Sequence, residues 1–206
     1  MTHGDGGGLV LPPAIAPIQV MIIPIAQHKP GVLDKANELL LKLKNICRVK
    51  MDDSDQSPGW KFAEYEMKGV PLRLEIGPKD IENNQCVVVR RDNREKIVVS
   101  LDELETRIPQ LLQDVHDGMY QKALDRRKSM TYEVTGGLDD IIKAASTRPG
   151  FIKAAWCGDV KCEEQLKEQA GITSRCMPFD QKEPISDKCV CCGKEAKTTV
   201  IWGKAY

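Results

Sequence analysis

The sequence has no excess charge of either sign, because its 30 Lys and Arg residues balance its 30 Asp and Glu residues. A general electrostatic attraction to nucleic acid is therefore excluded, and any RNA contact must come from the local placement of a few side chains. Aromatic residues make up only 5% of the chain. Of its three histidines, His28 and His116 have no Cys or Asp partner at ligand spacing, and His3 lies in a glycine-rich loop. No apolar run approaches the length of a membrane span, and the N-terminus lacks the basic, apolar and small-residue order of a signal peptide.

Cysteine, in contrast, is abundant, with eight residues in 206. Cys157 and Cys162 form a C-x4-C pair, and Cys189 and Cys192 form a C-x2-C pair. Two close pairs separated by a helix-sized segment are typical of a closed, tetrahedral thiolate zinc site, which supports a fold rather than chemistry. This spacing favours bound zinc in a reducing compartment over a disulfide framework. Cys191 leaves a C-x-C alternative for the second pair.

Another cysteine, Cys176, follows Arg175 in an alternating apolar stretch, and this pattern predicts a small buried side chain rather than a metal ligand.

Strands and helices alternate through the first part of the sequence, which predicts a mixed sheet with helices packed on it. The alternation at 72–76 predicts a half-exposed strand, and Gly77–Pro78–Lys79–Asp80 predicts a turn. Ser57 and Pro58 are typical of a helix N-terminus, and 100–103 resembles a capping box that starts a long helix. The predicted strands cover 18–25, 47–51, 72–76, 86–91 and 95–99, and the predicted helices begin near residues 32, 58, 100 and 138.

A change in composition after the basic cluster at 125–128 predicts a domain boundary near Ser129. The sequence therefore predicts three parts: a connector over 1–17, a larger α/β domain over 18–128 and a smaller α+β domain over 129–206 that holds the cysteine pairs.

Polar and aromatic residues recur between positions 60 and 80 at spacings that bring them together. Phe62 and Glu66 are four apart on a predicted helix, Arg73 and Glu75 share one face of a predicted strand, and Lys79 follows in the predicted turn. Such a patch can read a single-stranded guanine, since a ring stacks, a carboxylate accepts from N–H donors, and Arg or Lys donates to O6 and N7. On spacing alone, an Arg–Glu pair such as Arg73 and Glu75 on an exposed strand face is usually a solvated salt bridge.

Several motifs together resemble the C-terminal half of prolyl-tRNA synthetase, of the archaeal and eukaryotic type. They cover nearly the whole chain in order and include Gly8–Leu9–Val10–Leu11–Pro12–Pro13, Pro58–Gly59–Trp60–Lys61–Phe62, Gly77–Pro78–Lys79–Asp80, Trp156–Cys157–Gly158–Asp159, Cys189, Cys192–Gly193–Lys194 and Lys204–Ala205–Tyr206.

The resemblance implies a fragment of a cytoplasmic, homodimeric class II synthetase that joins proline to its tRNA using ATP and Mg²⁺. It implies an α/β anticodon-binding domain with a five-stranded mixed sheet, followed by a smaller zinc-binding domain. No catalytic residue is expected here, because the catalytic domain, with which this region would pair in the intact enzyme, would precede it. The chain alone should therefore be inactive. The residues that match the segment reading the proline anticodon are Phe62, Glu66, Arg73, Glu75 and Lys79, and the carboxylate of Tyr206 is expected to turn toward the catalytic domain.

One departure from the family pattern is Ala14, which stands where the family usually has arginine. Two other interpretations stay open: a free-standing RNA-binding module, and a protein-interaction module with a structural zinc.

Overall fold

The computed structural model describes residues 3–204 and divides into two compact units, with the boundary between Lys122 and Ala123. Its helices are α1 (Val32–Leu43), α2 (Pro58–Met67), α3 (Pro78–Glu82), α4 (Leu104–Ser129), α5 (Leu138–Thr147) and α6 (Val160–Ala170). Its strands are β1 (Gly4–Asp5), β2 (Gly8–Leu9), β3 (Val20–Pro24), β4 (Val49–Met51), β5 (Leu72–Ile76), β6 (Gln85–Arg90), β7 (Lys96–Ser100), β8 (Thr131–Val134), β9 (Phe151–Trp156), β10 (Ile172–Cys176) and β11 (Thr198–Lys204).

The first unit is built on a five-stranded mixed sheet in the order β4-β3-β5-β6-β7. The strand β3 pairs in parallel with β4 and β5, whereas β5–β6 and β6–β7 are antiparallel. The strands β1 and β2 form a separate antiparallel hairpin. The predicted five-stranded mixed sheet is confirmed.

The two faces of this sheet differ in what they pack against. Because successive side chains on a strand point to opposite faces, Val20 and Ile22 join the main core, while Met21 and Ile23 lie on the other face. That second face is covered by Phe62 and Tyr65 of α2. In the register of β3 with β5, Met21 lies opposite Arg73 and Ile23 opposite Glu75. The polar residues of β5 therefore share the face that α2 covers.

The helix α2 begins as the sequence predicts. Ser57 is its N-cap, and the Ser57 Oγ accepts a hydrogen bond from the Trp60 N–H at 3.3 Å, with Pro58 at the first helical position. Lys61 and Tyr65 are four residues apart and share one stripe, and Phe62 and Glu66 form the neighbouring stripe.

Three local predictions are wrong. The strand β5 is buried on both faces rather than half-exposed, because α2 covers its polar side. The predicted turn after Gly77 is the short helix α3, with the Asp80 side chain accepting from the Gly77 N–H at 2.9 Å. Residues 101–103 form a turn, so α4 begins at Leu104 rather than at Ser100.

The second unit contains a four-stranded sheet in the order β10-β11-β9-β8. The strands β8 and β9 are parallel, and β11 pairs antiparallel with both β9 and β10. Its core gathers around Trp202, Ile152, Leu166 and Val200, which are all less than 2% exposed. The predicted smaller domain of mixed helices and strands is confirmed.

Cys176 corrects another prediction, because it is exposed rather than buried. It lies at the end of β10, an edge strand, directly after a register shift that begins at Ser174. A bulge at an edge changes the direction of the side chains that follow it, which an alternating sequence pattern does not reveal.

None of the helices in the described part of the chain has the length and apolar character that crossing a membrane requires.

Candidate nucleic-acid interface and metal centre

Four of the five predicted anticodon residues lie together in the first unit. Arg73 is central: its Nε donates to Glu75 Oε1 at 2.9 Å, and its Nη1 donates to Glu66 Oε1 at 3.2 Å. The Arg73 guanidinium carbon also lies 4.0 Å from the centroid of the Phe62 ring. We call these four residues, Phe62, Glu66, Arg73 and Glu75, the Arg73 cluster.

Arg73 is buried, with 8% of its surface exposed, whereas the Glu66 side chain is 35% exposed. Within the described residues, the second oxygen (Oε2) of Glu66 and of Glu75 accepts no hydrogen bond. The arginine is therefore used inside the protein, while each carboxylate keeps an unused acceptor. Glu66 and Arg73 also line a small cleft with Tyr65 and Arg94.

The fifth predicted residue, Lys79, is exposed on α3. Within residues 3–204 it forms no ion pair and does not contact the Arg73 cluster. Its ammonium group is thus free to meet a ligand, but the protein does not hold it in place.

A buried ionic network, which sequence reasoning missed, anchors the adjacent stripe of α2. The Lys61 Nζ donates to the Asp52 carbonyl oxygen at 2.8 Å and lies 3.4 Å from Asp52 Oδ1. Tyr65 donates its hydroxyl hydrogen to Asp52 Oδ2 at 2.8 Å, and Ser54 donates to Asp52 Oδ1 from both its N–H and its hydroxyl. Asp52 therefore holds α2 at two positions one turn apart.

The protonation of this network follows from its burial and its donors. Burial works against the charged form of Asp52, but the hydrogen bonds from Ser54 and Tyr65 outweigh it and hold the pKa of the Asp52 carboxyl below its usual value. Burial and the neighbouring Asp52 carboxylate raise the pKa of Tyr65 to about 12. Asp52 is thus an anion and Tyr65 a neutral donor at neutral pH. The only sequence signal was a lysine at the helix position that shares a face with Tyr65.

The second unit brings the four predicted cysteine ligands together. Cys157 follows β9, Cys162 lies in the first turn of α6, and Cys189 and Cys192 lie in the loop before β11. We call these four residues the cysteine quartet. Their sulfur atoms all lie within 4.8 Å of one another, and three of the four residues are buried.

Two tight turns shape the quartet. Gly158, at φ 88°, follows Cys157, and Gly193, at φ 71°, follows Cys192; both angles lie in the left-handed region that favours glycine. The Gly193 N–H donates to the Cys189 carbonyl oxygen at 2.9 Å, which closes the second turn. Cys191 packs against the quartet but is not one of its four clustered sulfurs, and its Sγ donates to Gln165 Oε1 at 3.2 Å.

The sulfur spacing fits a tetrahedral ion. Cys157 Sγ lies 3.7 Å from both Cys162 Sγ and Cys192 Sγ. Four sulfurs at about 2.3 Å from a zinc ion lie about 3.8 Å apart, so the quartet has the dimensions of a thiolate zinc site. The residues present could hold a metal ion of this kind.

Predictions for Tyr206 lie outside the described residues.

Comparisons with known proteins agree with this architecture. Residues 19–111 match the family described as "Anticodon binding domain", and residues 138–206 match "Prolyl-tRNA synthetase, C-terminal". The chain is 65% identical over 206 residues to a proline–tRNA ligase of Clostridium novyi (strain NT), and 58% identical to proline–tRNA ligase 2 of Bacillus cereus (strain ZK / E33L). Both alignments cover 100% of this chain and 43% of the relative.

A solved structure is similar over the same extent. The crystal structure of prolyl-tRNA synthetase from Cryptosporidium parvum, complexed with L-proline and AMP, has a TM-score of 0.92 and 39% identity; the match covers 100% of this chain and 44% of that one. The chain thus spans less than half the length of the relatives it matches. The two matched domains, in this order, show that the chain belongs to the prolyl-tRNA synthetase family, as a region with its anticodon-binding and C-terminal domains.

Proposed function

We propose that this chain reads the anticodon of the proline tRNA and acts as part of a proline–tRNA ligase. The observation that carries the proposal is the Arg73 cluster, in which one buried guanidinium holds two carboxylates, each with an unused oxygen. The curated relatives are proline–tRNA ligases, which supports the same activity for the intact protein. The ATP- and Mg²⁺-dependent chemistry, the homodimer, the cytoplasmic location and the partner catalytic domain belong to this proposal.

The chemistry of guanine fits the unused acceptors of the cluster. Guanine presents N1–H and N2–H donors on its Watson–Crick edge, and a carboxylate accepts both in a charge-assisted pair. Glu66 and Glu75 would read these donors. Arg73 orients both carboxylates, rather than reading the base itself. Lys79 supplies the free cation, for O6, N7 or a nearby phosphate.

The proposal is tested by measuring the affinity of the chain for a proline tRNA and for a tRNA with a changed anticodon guanine. Glu66→Ala and Glu75→Ala should reduce the ratio of the two affinities, because each lost bidentate contact is worth about 1–3 kcal/mol. Arg73→Ala should reduce it at least as much, since it releases both carboxylates. Lys79→Ala should weaken binding to both tRNAs.

Glu64→Ala is the matched control. Glu64 lies on the same helix but pairs with Lys68 at 2.6 Å instead of Arg73, so its loss should leave the ratio unchanged. Equal affinities of all variants for both tRNAs would show that the Arg73 cluster is a structural ion network. Failure of the unmodified chain to bind either tRNA would favour a protein-interaction module, and binding without anticodon preference a general RNA-binding module.

We propose further that the cysteine quartet holds one structural zinc ion. The fit of the sulfur spacing to a tetrahedral thiolate site supports this assignment. The ion would join the end of β9, the start of α6 and the loop before β11, and would supply folding energy rather than catalysis.

A further inference from the structure

An ion pair joins the N-terminal hairpin to residues 86 positions further along the chain. The Arg91 Nη1 donates to Asp5 Oδ2 at 2.8 Å, and the Arg91 Nη2 donates to Asp5 Oδ1 at 2.7 Å. This is the bidentate arrangement in which a guanidinium and a carboxylate bind most strongly. The Arg91 side chain is 2% exposed and the Asp5 side chain 36% exposed, so the arginine is fixed inside the protein while the carboxylate lies at its surface.

The same guanidinium also holds the end of α2. Its Nε donates to the carbonyl oxygen of Glu66 at 2.9 Å. The Glu66 carbonyl oxygen also accepts from the Gly69 N–H at 3.1 Å, so Arg91 adds a side-chain donor to a helix end that the backbone already closes. Glu66 is therefore held twice: Arg91 holds its backbone, and Arg73 holds its carboxylate.

The hairpin also packs closely against this helix end at two glycines, and these contacts involve no charge. A Cβ added at Gly8, at φ +123°, would lie 2.5 Å from the Met67 Cα. A Cβ added at Gly69, at φ +72°, would lie 2.7 Å from the Leu9 Cβ. The Leu11 N–H donates to the Gly69 carbonyl oxygen at 3.3 Å. The hairpin thus contacts the residues that directly follow Glu66.

We infer that Arg91 is a positioning residue for Glu66, and that the hairpin Gly4–Leu9 fixes Arg91 in place through Asp5. The hairpin thereby contributes to the anticodon-reading surface by fixing the position of Glu66. This inference rests on the proposed function, because it assigns the source of the geometry with which Glu66 reads guanine.

The decisive variant is Asp5→Asn in the full chain. An amide of the same shape offers one acceptor and places its NH₂ group against an Arg91 donor, so the bidentate pair is lost. The ratio of affinities for proline tRNA and for an anticodon-changed tRNA should fall by about threefold or more, a fraction of the roughly 5- to 150-fold that a good bidentate base contact provides. Amide hydrogen exchange of residues 67–69 should become faster.

Asp92→Asn is the matched control. Asp92 also forms a bidentate pair with an arginine, at 3.0 and 2.8 Å to Arg90, but that arginine contacts α4 through the Asp114 carbonyl oxygen rather than α2. Asp92→Asn should therefore leave both the affinity ratio and the exchange of residues 67–69 unchanged. Gly8→Ala provides a second variant that displaces the hairpin without altering charge, and it should act in the same direction as Asp5→Asn.

Three results would overturn the inference. The first is that Asp5→Asn and Gly8→Ala discriminate between the two anticodons as well as the unmodified chain does. Another is an equal loss of discrimination in Asp92→Asn, which would indicate general destabilisation. If the unmodified chain shows no anticodon preference, the proposed function fails first, and the inference fails with it.

Discussion

The Arg73 cluster and the cysteine quartet are organised in opposite ways. The cysteines stand in two close pairs, and each pair is shaped by a turn with a left-handed glycine, at Gly158 and at Gly193. The Arg73 cluster joins a helix to a strand, and its geometry depends on further residues, Asp52, Lys61 and Arg91, that face inward. On our proposal an ion completes the quartet, whereas the Arg73 cluster is completed by the protein itself. Loss of the ion and loss of a buried charge should therefore have different consequences.

The largest effect should follow loss of a cysteine from the quartet. Cys162→Ser and removal of zinc by a chelator should each destabilise the second unit by several kcal/mol, because metal binding in small thiolate domains is coupled to folding. Metal analysis should give one zinc per chain for the unmodified protein and less for the variant. Hydrogen exchange should accelerate across β9 and β11, with β3 and β5 as the internal reference.

Cys191→Ser and Cys176→Ser are the controls for this experiment, since Cys191 bonds to Gln165 and Cys176 is exposed. Both variants should bind zinc as the unmodified chain does. A zinc content that falls in Cys191→Ser but not in Cys192→Ser would contradict the assignment of the fourth ligand.

The next largest effect should come from the buried ion pair beneath α2. Asp52→Asn should lower the free energy of unfolding by about 3–5 kcal/mol, because it leaves the Lys61 ammonium buried without its anion. The double variant Asp52→Asn with Lys61→Met should lose less, since no unpaired charge remains. Urea unfolding measures both.

Lys35→Met serves as the comparison, because Lys35 and Glu38 form an exposed pair at 2.6 Å whose loss should change stability by less than about 1 kcal/mol. A loss of stability as small as this for Asp52→Asn would mean that water solvates the Asp52–Lys61 pair.

The smallest effect concerns pH. The hydrogen bonds from Arg91 and from the Gly7 N–H hold the pKa of Asp5 well below its usual range. Since the pKa is lower in the folded protein than in the unfolded chain, Asp5 stabilises the fold fully above the unfolded pKa of about 3.9. This contribution is lost progressively as the pH falls from there toward the folded value. Asp5 is 36% exposed, so its contribution should stay below about 1 kcal/mol.

Urea midpoints measured between pH 6 and pH 3 test this expectation. The unmodified chain should lose more stability than Asp5→Asn over that interval, because only the former has an acid to protonate at position 5. If the urea midpoints of the two proteins changed equally with pH, Asp5 would not contribute to the pH dependence of stability.

Sequence reasoning predicted the residues of both sites, but it did not predict which side chains are buried or what holds them in place. Short-range patterns predicted the strands of the first unit, the N-terminus of α2 and each of the two cysteine pairs, because each pattern lies within a few consecutive residues. The burial of Arg73 could not be predicted in this way, because it depends on α2 covering β5. The roles of Asp52, Lys61 and Arg91 depend on contacts between distant parts of the chain, which spacing does not encode. Cys176 was predicted wrongly because a bulge, invisible in the alternating pattern, precedes it.

The strand order of the second unit has a consequence for synthesis on the ribosome. The strand β11 is made after β8, β9 and β10, yet it lies between β9 and β10 in the sheet. Until it emerges, β10 has no neighbour in its sheet, and the antiparallel edge of β9 is open. The first unit, whose five strands are complete by Ser100, can form its sheet while translation continues. A pause in translation before the codon of Thr198 would therefore leave a folded first unit joined to a second unit with exposed strand edges, a state prone to aggregation that a chaperone would protect.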